Sequence, residues 1–315
     1  MNFFSVTTKK NLPVLTKSVA LNFKFHDIVD YIIICPAEDV TVFKDKIKNE
    51  KVKVVDENQI ISIEEFKRIS SRVASALKKE EINVKRIPWY YQQVLKLTYS
   101  LSTFGNVVMW DADTVPMRKI DFFNDGEVSL KFGADIEYHE EYFSTLDVVS
   151  DYIRPKYAYT IQFYSHAENE RQRILAIIDN FIPDASAYEL PEKISMLLLN
   201  SIYNQNLEFK NERSSYFSEQ EFVGCFKSAD EIQLKIKHFR PGRFWNDSKL
   251  NTTFLRMCGY SYYTVEANAK FKNTLIQSLY FFAFLISDIL KITKIRRLSP
   301  KKLSKAKNDF NSNKQ

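Results

Sequence analysis

The chain has 315 residues, with 45 basic and 39 acidic side chains and a hydrophobic fraction of 45%, which is typical of a globular protein with a sizeable core. Its six glycines never fall at G-x-G-x-x-G, G-x-x-x-x-G-K or G-x-S-x-G spacing, which disfavours Rossmann cofactor enzymes, P-loop NTPases and α/β-hydrolases. The three cysteines, Cys35, Cys225 and Cys258, form no C-x-x-C pair, so neither a disulfide framework nor a thiolate zinc site is expected.

The positive charge is concentrated at the end of the chain. Residues 291–315 contain nine Lys or Arg and one Asp, a net charge of +8, which leaves −2 for the rest of a chain whose total is +6. Enzymes that act on nucleic acids usually have basic residues distributed over the surface that binds the nucleic acid. We therefore expect no nucleic-acid partner and interpret the tail as an attachment device.

Strand-like and helix-like segments alternate over the first 130 residues. Short apolar runs predict strands at 3–8, 30–36, 52–55 and 107–110, and helical spacing of apolar residues predicts helices at 13–23, 63–79 and 88–103. This alternation predicts an α/β fold with a parallel sheet and helices on both faces. Residues 135–215 are predicted to be mainly helical, and β-rich stretches follow at 233–239 and 260–265.

The most hydrophobic segment, 275–292, precedes the basic tail. Its unbroken apolar run covers only eight residues, whereas a bilayer crossing needs about 20. On a helix the apolar residues share one face, so the segment and its tail predict a monotopic contact with an anionic membrane surface. The alternative is a helix packed on the core and followed by a disordered tail. The first residues lack a signal-peptide pattern, so we expect a cytoplasmic protein attached peripherally to the inner face of the cytoplasmic membrane.

Two carboxylates, Asp111 and Asp113, directly follow the apolar strand at 107–110. In an open parallel sheet, ligands bind at the carboxyl ends of the strands. Carboxylate oxygens suit Mg²⁺ or Mn²⁺, and such an ion would neutralise a diphosphate. A surface turn is the usual alternative for a D-x-D pair, but its position after an apolar strand favours a ligand site.

Together with two other blocks, this motif resembles a bacterial family of largely uncharacterised glycosyltransferases with the GT-A fold. The blocks are W-Y-x-Q-Q-x-x-K-L at 89–97, D-x-D at 111–113 and S-E-x-E-x-x-G at 218–224. The resemblance covers about residues 1–260. It implies a Rossmann-like mixed sheet flanked by helices, a helical insertion on the acceptor side, and a D-x-D motif that binds a metal ion and a sugar nucleotide.

The first block is predicted to begin a helix, because proline is well tolerated in the first turn, as at Pro88. Gln92, Gln93 and Lys96 could then face the nucleotide, with Lys96 offering a cation to phosphate or to sugar hydroxyls. The alternative is a core helix whose apolar residues are buried and whose polar residues are solvated.

The segment 238–245 is similar to the H-x-x-G-x-x-K-P-W segment of family 8 glycosyltransferases, although Gly242 lies four rather than three residues after the histidine. In that family the histidine completes the metal site and the lysine holds the diphosphate. The resemblance implies His238 as a third metal ligand beside the two aspartates. It also implies donor contacts by Arg240, Arg243 and Trp245.

Candidate catalytic residues lie in the third block. Ser218 and Glu221 fit a capping box, which explains Glu221 structurally. We expect Glu219 to have a free side chain, which makes it the better candidate for an acid/base role, with Glu221 second. If the family 8 likeness extends to retention of configuration, no carboxylate base is needed. Asp113 is also assigned to catalysis, because a metal ion that it holds would act as Lewis acid on the leaving diphosphate.

The sequence thus predicts a GT-A domain at 1–268, with a nucleotide-binding half at about 1–130 and an acceptor-side half at about 131–268. An amphipathic helix at 269–298 and a basic disordered tail at 299–315 follow. With Mn²⁺ or Mg²⁺, the enzyme would move a sugar from a nucleotide diphosphate donor, expected to be a UDP-sugar, to an oligosaccharide or lipid-linked glycan of the bacterial surface, such as lipooligosaccharide, O-antigen or capsule.

Two other functions fit parts of the sequence. The run Asp111-Ala112-Asp113-Thr114-Val115 matches the motif of haloacid-dehalogenase-like phosphatases, in which Asp111 would be the nucleophile and Asp113 the acid/base. A non-catalytic, membrane-docked glycan-binding protein would explain the tail and the aromatic content of 14%.

Overall fold

The computed structural model describes residues 1–124, 126, 128–134, 138–205, 215–227, 233–236, 238–239, 255–257 and 259–265. The chain divides into two compact units, Met1–Thr114 with Lys119–Ile236 and Val115–Arg118 with Lys237–Gln315. Within the described ranges, no helix is both long and apolar enough to cross a bilayer. The predicted membrane helix at 269–298 and the basic tail at 299–315 lie outside these ranges.

The strands and helices follow one another in the order predicted for the first 130 residues. The strands are β1 (Asn2–Val6), β2 (Tyr31–Cys35), β3 (Val52–Asp56), β4 (Val107–Trp110), β5 (Thr114–Pro116), β6 (Phe123–Asn124), β7 (Val128–Ser129), β8 (Lys131–Gly133), β9 (Phe163–His166), β10 (Gln233–Lys235), β11 (His238–Phe239) and β12 (Tyr262–Thr264). The helices are α1 (Leu12–Phe25), α2 (Val40–Lys46), α3 (Ile63–Ala76), α4 (Ile87–Ser102), α5 (Glu140–Leu146), α6 (Glu168–Phe181), α7 (Leu190–Asn204) and α8 (Glu219–Phe226). Short 3₁₀ turns occupy Lys9–Asn11, Ala37–Asp39, Glu57–Gln59 and Ala185–Ala187.

A five-stranded sheet in the order β3-β2-β1-β4-β9 forms the centre of the first unit. The first four strands are parallel, and β9 pairs with β4 in the antiparallel direction. The structure confirms the predicted α/β class, a mixed, mainly parallel sheet flanked by helices. Because β4 lies between β1 and β9, the residues that follow it have a neighbouring strand on either side.

Helices cover both faces of this sheet. Side chains alternate between the faces with a period of two. Phe4 and Met109 belong to the hydrophobic cluster that α3, α4 and α7 complete. The neighbouring residue Phe3 points to the opposite face, where Trp110 donates a hydrogen bond from Nε1 to Ser18 Oγ on α1. Both faces are therefore buried, which explains why the strands read as nearly continuous apolar runs.

The structure differs from the sequence-based prediction in several places. Helix α2 and the short strands β5 to β8 were not predicted. The region 135–215 contains strand β9 in addition to helices. The predicted β-rich stretch at 233–239 is two strands in different sheets: β10 pairs with β8, and β11 pairs with β12. Alternation of apolar and polar residues cannot distinguish one long strand from two short successive strands, because the pattern has a period of two in both.

The second unit is described at β5, β11, β12 and their flanking residues. Its three strands pair in the order β11-β12-β5. The Arg118 guanidinium donates hydrogen bonds to Ser261 Oγ and to the Gly259 carbonyl, and Met117 N donates to Ser261 O. These bonds join the two chain segments that make up the unit.

Candidate functional site

The D-x-D motif forms a tight turn at the carboxyl end of β4. Thr114 N donates to Asp111 O over 3.0 Å, and Asp111 N donates to Gln162 O over 2.9 Å at the start of β9. At the end of the neighbouring strand β1, Val6 O accepts a hydrogen bond of 3.4 Å from Gln92 Nε2. The D-x-D motif therefore lies at the end of β4, and the Gln92 side chain reaches the end of the neighbouring strand β1.

Both carboxylate oxygens of Asp111 are held by other side chains. Oδ1 lies 2.7 Å from Lys96 Nζ, and Oδ2 accepts a hydrogen bond of 3.1 Å from Gln220 Nε2. The Asp111 side chain is 17% exposed. Its position is therefore fixed by α4 on one side and by α8 on the other.

Lys96 is buried between two carboxylates. Its Nζ lies 2.7 Å from Asp111 Oδ1 and 2.8 Å from Glu219 Oε1, and its side chain is only 7% exposed. Burial alone would lower the pKa of this ammonium, but the two carboxylates raise it above its usual range. Lys96 therefore stays charged and joins α4, the end of β4 and α8. The sequence analysis expected Lys96 to offer its charge to a phosphate or a sugar. In the structure the ammonium is instead paired with two carboxylates of the protein itself.

The prediction of a free Glu219 side chain is wrong. The side chain is 6% exposed and paired with Lys96, and the backbone N–H of Glu219 donates to Gln93 Oε1 over 3.1 Å. Gln93 is itself buried, and its Nε2 has no hydrogen-bond partner within the described part of the chain. The side chains of Glu219 and Gln93 are both buried because the start of α8 packs against α4.

Gln220 is a residue of this site that the sequence analysis did not single out. Its Oε1 accepts hydrogen bonds from the backbone N–H groups of Ile161 (2.8 Å) and Gln162 (3.0 Å), which turns its amide nitrogen towards Asp111. Gln162 has a φ of 76°, a left-handed conformation that is rare for residues other than glycine. The only sequence signal was the position of Gln220 inside the third block, between the two glutamates.

Asp113 is the less constrained of the two aspartates. Its Oδ1 accepts a long hydrogen bond of 3.3 Å from Thr114 Oγ1, and the described residues supply no side-chain donor to Oδ2. Desolvation, together with the negative charge of Asp111, raises the pKa of Asp113 to about 6. A cation beside these carboxylates would relieve their repulsion, so the donor set fits a divalent ion.

The remaining predicted ligands belong to the second unit. His238 lies in β11, and only its backbone is described; Arg240, Arg243 and Trp245 lie outside the described residues. Among the side chains that the structure describes, no three His, Cys, Asp or Glu come together as a metal site. The third ligand stays a prediction.

Glu221 is fully buried, and its carboxylate contacts Thr160 and not Lys96. Ser218 Oγ accepts a hydrogen bond from Glu221 N over 3.3 Å, so the predicted N-cap is present. The Glu221 carboxylate does not complete a capping box: its Oε1 accepts from Thr160 N and Thr160 Oγ1, and its Oε2 has no partner among the described residues. Burial raises the pKa of Glu221 to about 7. Because the Glu221 side chain is fully buried, it has a structural role and cannot contact a substrate.

Glu221→Gln is expected to stabilise the protein above neutral pH. The folded protein holds a proton on Glu221 up to about pH 7, whereas an unfolded glutamate releases it near 4.5. Stability is therefore lost as the pH rises through this window, by on the order of 3 kcal/mol. Glutamine mimics the protonated acid and removes the loss. Urea unfolding between pH 5 and 8 should show a flatter pH profile for the variant.

Glu219→Gln is the matched control, two residues earlier on the same helix. It removes one partner of the buried Lys96, so we expect destabilisation at every pH in this range. Equal pH profiles for wild type and Glu221→Gln would contradict the assignment of a buried, protonated Glu221.

Residues 5–152 match the model of a family described as a family of unknown function (DUF6492). No curated protein matches the sequence. Among solved structures, apo mouse xyloside xylosyltransferase 1 is similar to this chain at 11% identity and a TM-score of 0.42, over 86% of this chain and 100% of that one.

Two structures of the galactosyltransferase LgtC are also similar to this chain. The complex of LgtC with donor and acceptor sugar analogs has 10% identity and a TM-score of 0.45, over 90% of this chain and 96% of that one. An active-site mutant of LgtC has 9% identity and a TM-score of 0.47, over 89% of this chain and 94% of that one.

Proposed function

We propose that this protein is a metal-dependent glycosyltransferase with the GT-A fold. It transfers a sugar from a nucleotide diphosphate donor, of which a UDP-sugar is the first candidate, to a bacterial cell-surface glycan. Three sequence blocks that resemble those of a GT-A family support the proposal, and in the structure residues from all three contact one another: Lys96 from the first, Asp111 from the second and Glu219 and Gln220 from the third.

The observation that carries the proposal is the position of the two aspartates. They follow the interior strand β4 at the carboxyl edge of a mainly parallel sheet, where open α/β sheets bind their ligands. Asp111 is fixed by Lys96 and Gln220, while Asp113 has an oxygen without a side-chain donor in the described part of the site. A carboxylate fixed through both oxygens, beside one with an oxygen that no described side chain bonds, is a suitable arrangement for holding an ion.

Asp113 and Asp111 would hold Mn²⁺ or Mg²⁺. When bound, the ion would supply Lewis-acid stabilisation of the leaving diphosphate. Lys96 orients Asp111 through one oxygen, and Gln220 fixes the second oxygen of the same carboxylate. Neither Glu219 nor Glu221 enters the proposal as a base, since both are buried and hydrogen-bonded within the protein.

The phosphatase hypothesis receives less support from this geometry. The nucleophile motif of such phosphatases usually ends the first strand of the sheet. In this chain three strands, β1, β2 and β3, precede the one that Asp111 follows.

Calorimetric titration of UDP, GDP and CDP into the full chain, with and without Mn²⁺, tests the proposal. We expect micromolar affinity for one nucleotide, with UDP as the first candidate, and dependence of that affinity on the metal ion. Addition of EDTA should abolish the binding and excess Mn²⁺ should restore it. If folded protein binds no nucleotide in the presence of metal, the proposed function is wrong.

A further inference from the structure

One polar face of α4 extends from Lys96, which contacts Asp111 and Glu219, to the beginning of the helix. Residues three or four positions apart share a helix face, which places Arg86, Tyr90, Gln93 and Lys96 on one side. Gln93 Oε1 accepts a hydrogen bond from Glu219 N, and Tyr90 Oη accepts one of 3.4 Å from Tyr216 N. The segment before α8 therefore follows this face along its length.

Arg86 lies at the far end of the face. Ten residues of helix separate it from Lys96, a distance of about 15 Å along the axis. Its guanidinium lies 4.3 Å from the ring centroid of Trp89 and 5.8 Å from that of Tyr90. Stacking of this kind fixes the plane of a guanidinium and leaves its edge available for hydrogen bonds.

No carboxylate pairs with Arg86 among the residues that the structure describes. Arg68, Arg72, Arg154 and Arg171 each bond to a Glu or Asp. The Nε of Arg86 is buried without a hydrogen-bond partner, although the residue as a whole is partly exposed. Arg86 is thus a partly exposed cation held by aromatic rings, with no counter-charge in the described structure.

Polar aromatic residues surround this cation. The Tyr90 and Tyr142 hydroxyls lie within electrostatic reach of Arg86, and Tyr142 Oη is 2.8 Å from Ser215 Oγ. The exposed His139 ring lies 5.0 Å from the Tyr142 ring. The partly exposed Trp89 and the exposed His139 offer rings that can contact a sugar, whereas Tyr90 and Tyr142 are buried. No acidic group in the described structure pairs with the guanidinium.

We propose that Arg86, stacked on Trp89, binds an oxyanion carried by the acceptor glycan, either a carboxylate or a phosphate. The inference rests on the proposed function, because it places part of the acceptor at the beginning of α4, about 15 Å along the helix from Lys96. The planar guanidinium can bind either oxyanion through two parallel hydrogen bonds. The acceptor is therefore an acidic glycan, and a neutral one lacks the contact.

Titrations with small saccharides test this site. The probes are methyl glucuronide and glucose 6-phosphate, with methyl glucoside as the neutral reference, and binding to the full chain is followed by NMR. We expect at least one anionic probe to bind about tenfold or more tightly than the reference. Preference for the glucuronide would identify a carboxylate acceptor, and preference for the 6-phosphate would identify a phosphorylated one.

Two variants connect the effect to Arg86. Arg86→Gln should reduce the affinity for the anionic probe to that for the neutral glucoside, which itself should not change. Arg86→Lys keeps a charge without the planar fork, so we expect an intermediate affinity; it also decides the question if the glutamine variant does not fold. Arg68→Gln, at an exposed arginine paired with Glu65, should leave all three affinities as in the wild type.

Equal affinities for anionic and neutral probes, absence of binding by any probe, or an unchanged anionic affinity in folded Arg86 variants would overturn the inference. Failure of the proposed function has a different signature, the loss of metal-dependent nucleotide binding in the wild type. Arg86→Gln should bind the nucleotide and Mn²⁺ as the wild type does, because Arg86 lies about 15 Å along α4 from Lys96.

Discussion

Asp113→Asn is expected to lower the Mn²⁺-dependent affinity for the nucleotide by at least about 100-fold, which corresponds to about 3 kcal/mol. Asparagine has the shape of aspartate and can keep the hydrogen bond from Thr114, but it is neutral and binds a divalent cation weakly. The unfolding free energy at pH 8 should be equal to or higher than that of the wild type, because the Asp113 anion is disfavoured by burial and by Asp111. Calorimetry and urea unfolding of the same preparation measure both quantities.

The control for this variant is Asp121→Asn. Asp121 is exposed and pairs with Lys119 on the surface, so its replacement should change neither nucleotide affinity nor stability by a measurable amount. Retention of full metal-dependent binding by a folded Asp113→Asn protein would remove Asp113 from the metal site and with it the main support for the proposed function.

Lys96→Met is expected to destabilise the protein by about 3–5 kcal/mol at pH 7. The substitution leaves the carboxylates of Asp111 and Glu219 buried without their shared cation, and an uncompensated buried charge costs about this much. Methionine is an unbranched side chain only one atom shorter than lysine, so the effect reports mainly the loss of the charge. Urea unfolding gives the free energy difference.

Two further variants separate this effect from a general effect of removing lysine. Lys53→Met breaks a contact of the same length, 2.7 Å from Lys53 Nζ to Asp30 Oδ2, at an exposed position and should cost less than about 1 kcal/mol. Neutralising the carboxylates in the triple variant Lys96→Met, Asp111→Asn, Glu219→Gln should recover most of the lost stability. A Lys96→Met protein within 1 kcal/mol of the wild type would show that the three charges do not form a buried network.

Particular elements show how far local pattern determines the fold. The structure places β4 at the predicted residues, and α4 begins one residue before the predicted start, with Pro88 in its first turn. Strand β9 was missed, because its sequence, Phe163-Tyr164-Ser165-His166, lacks the apolar alternation of a half-buried strand. Its pairing with β4 is a long-range contact, and a local period carries no information about it.

The amino-acid sequence by itself determined the alternation of strands and helices, the mainly parallel sheet and the position of the D-x-D motif at the end of a strand. These features depend on the local spacing of apolar residues, which a single segment contains. Only the tertiary structure decided how the polar residues of the three blocks are used. Lys96 and Glu219 are 123 residues apart in the chain, and they pair because packing of α8 against α4 excludes water from both side chains. In that environment a charge must have a partner, so burial determines which of the charged residues bond to one another.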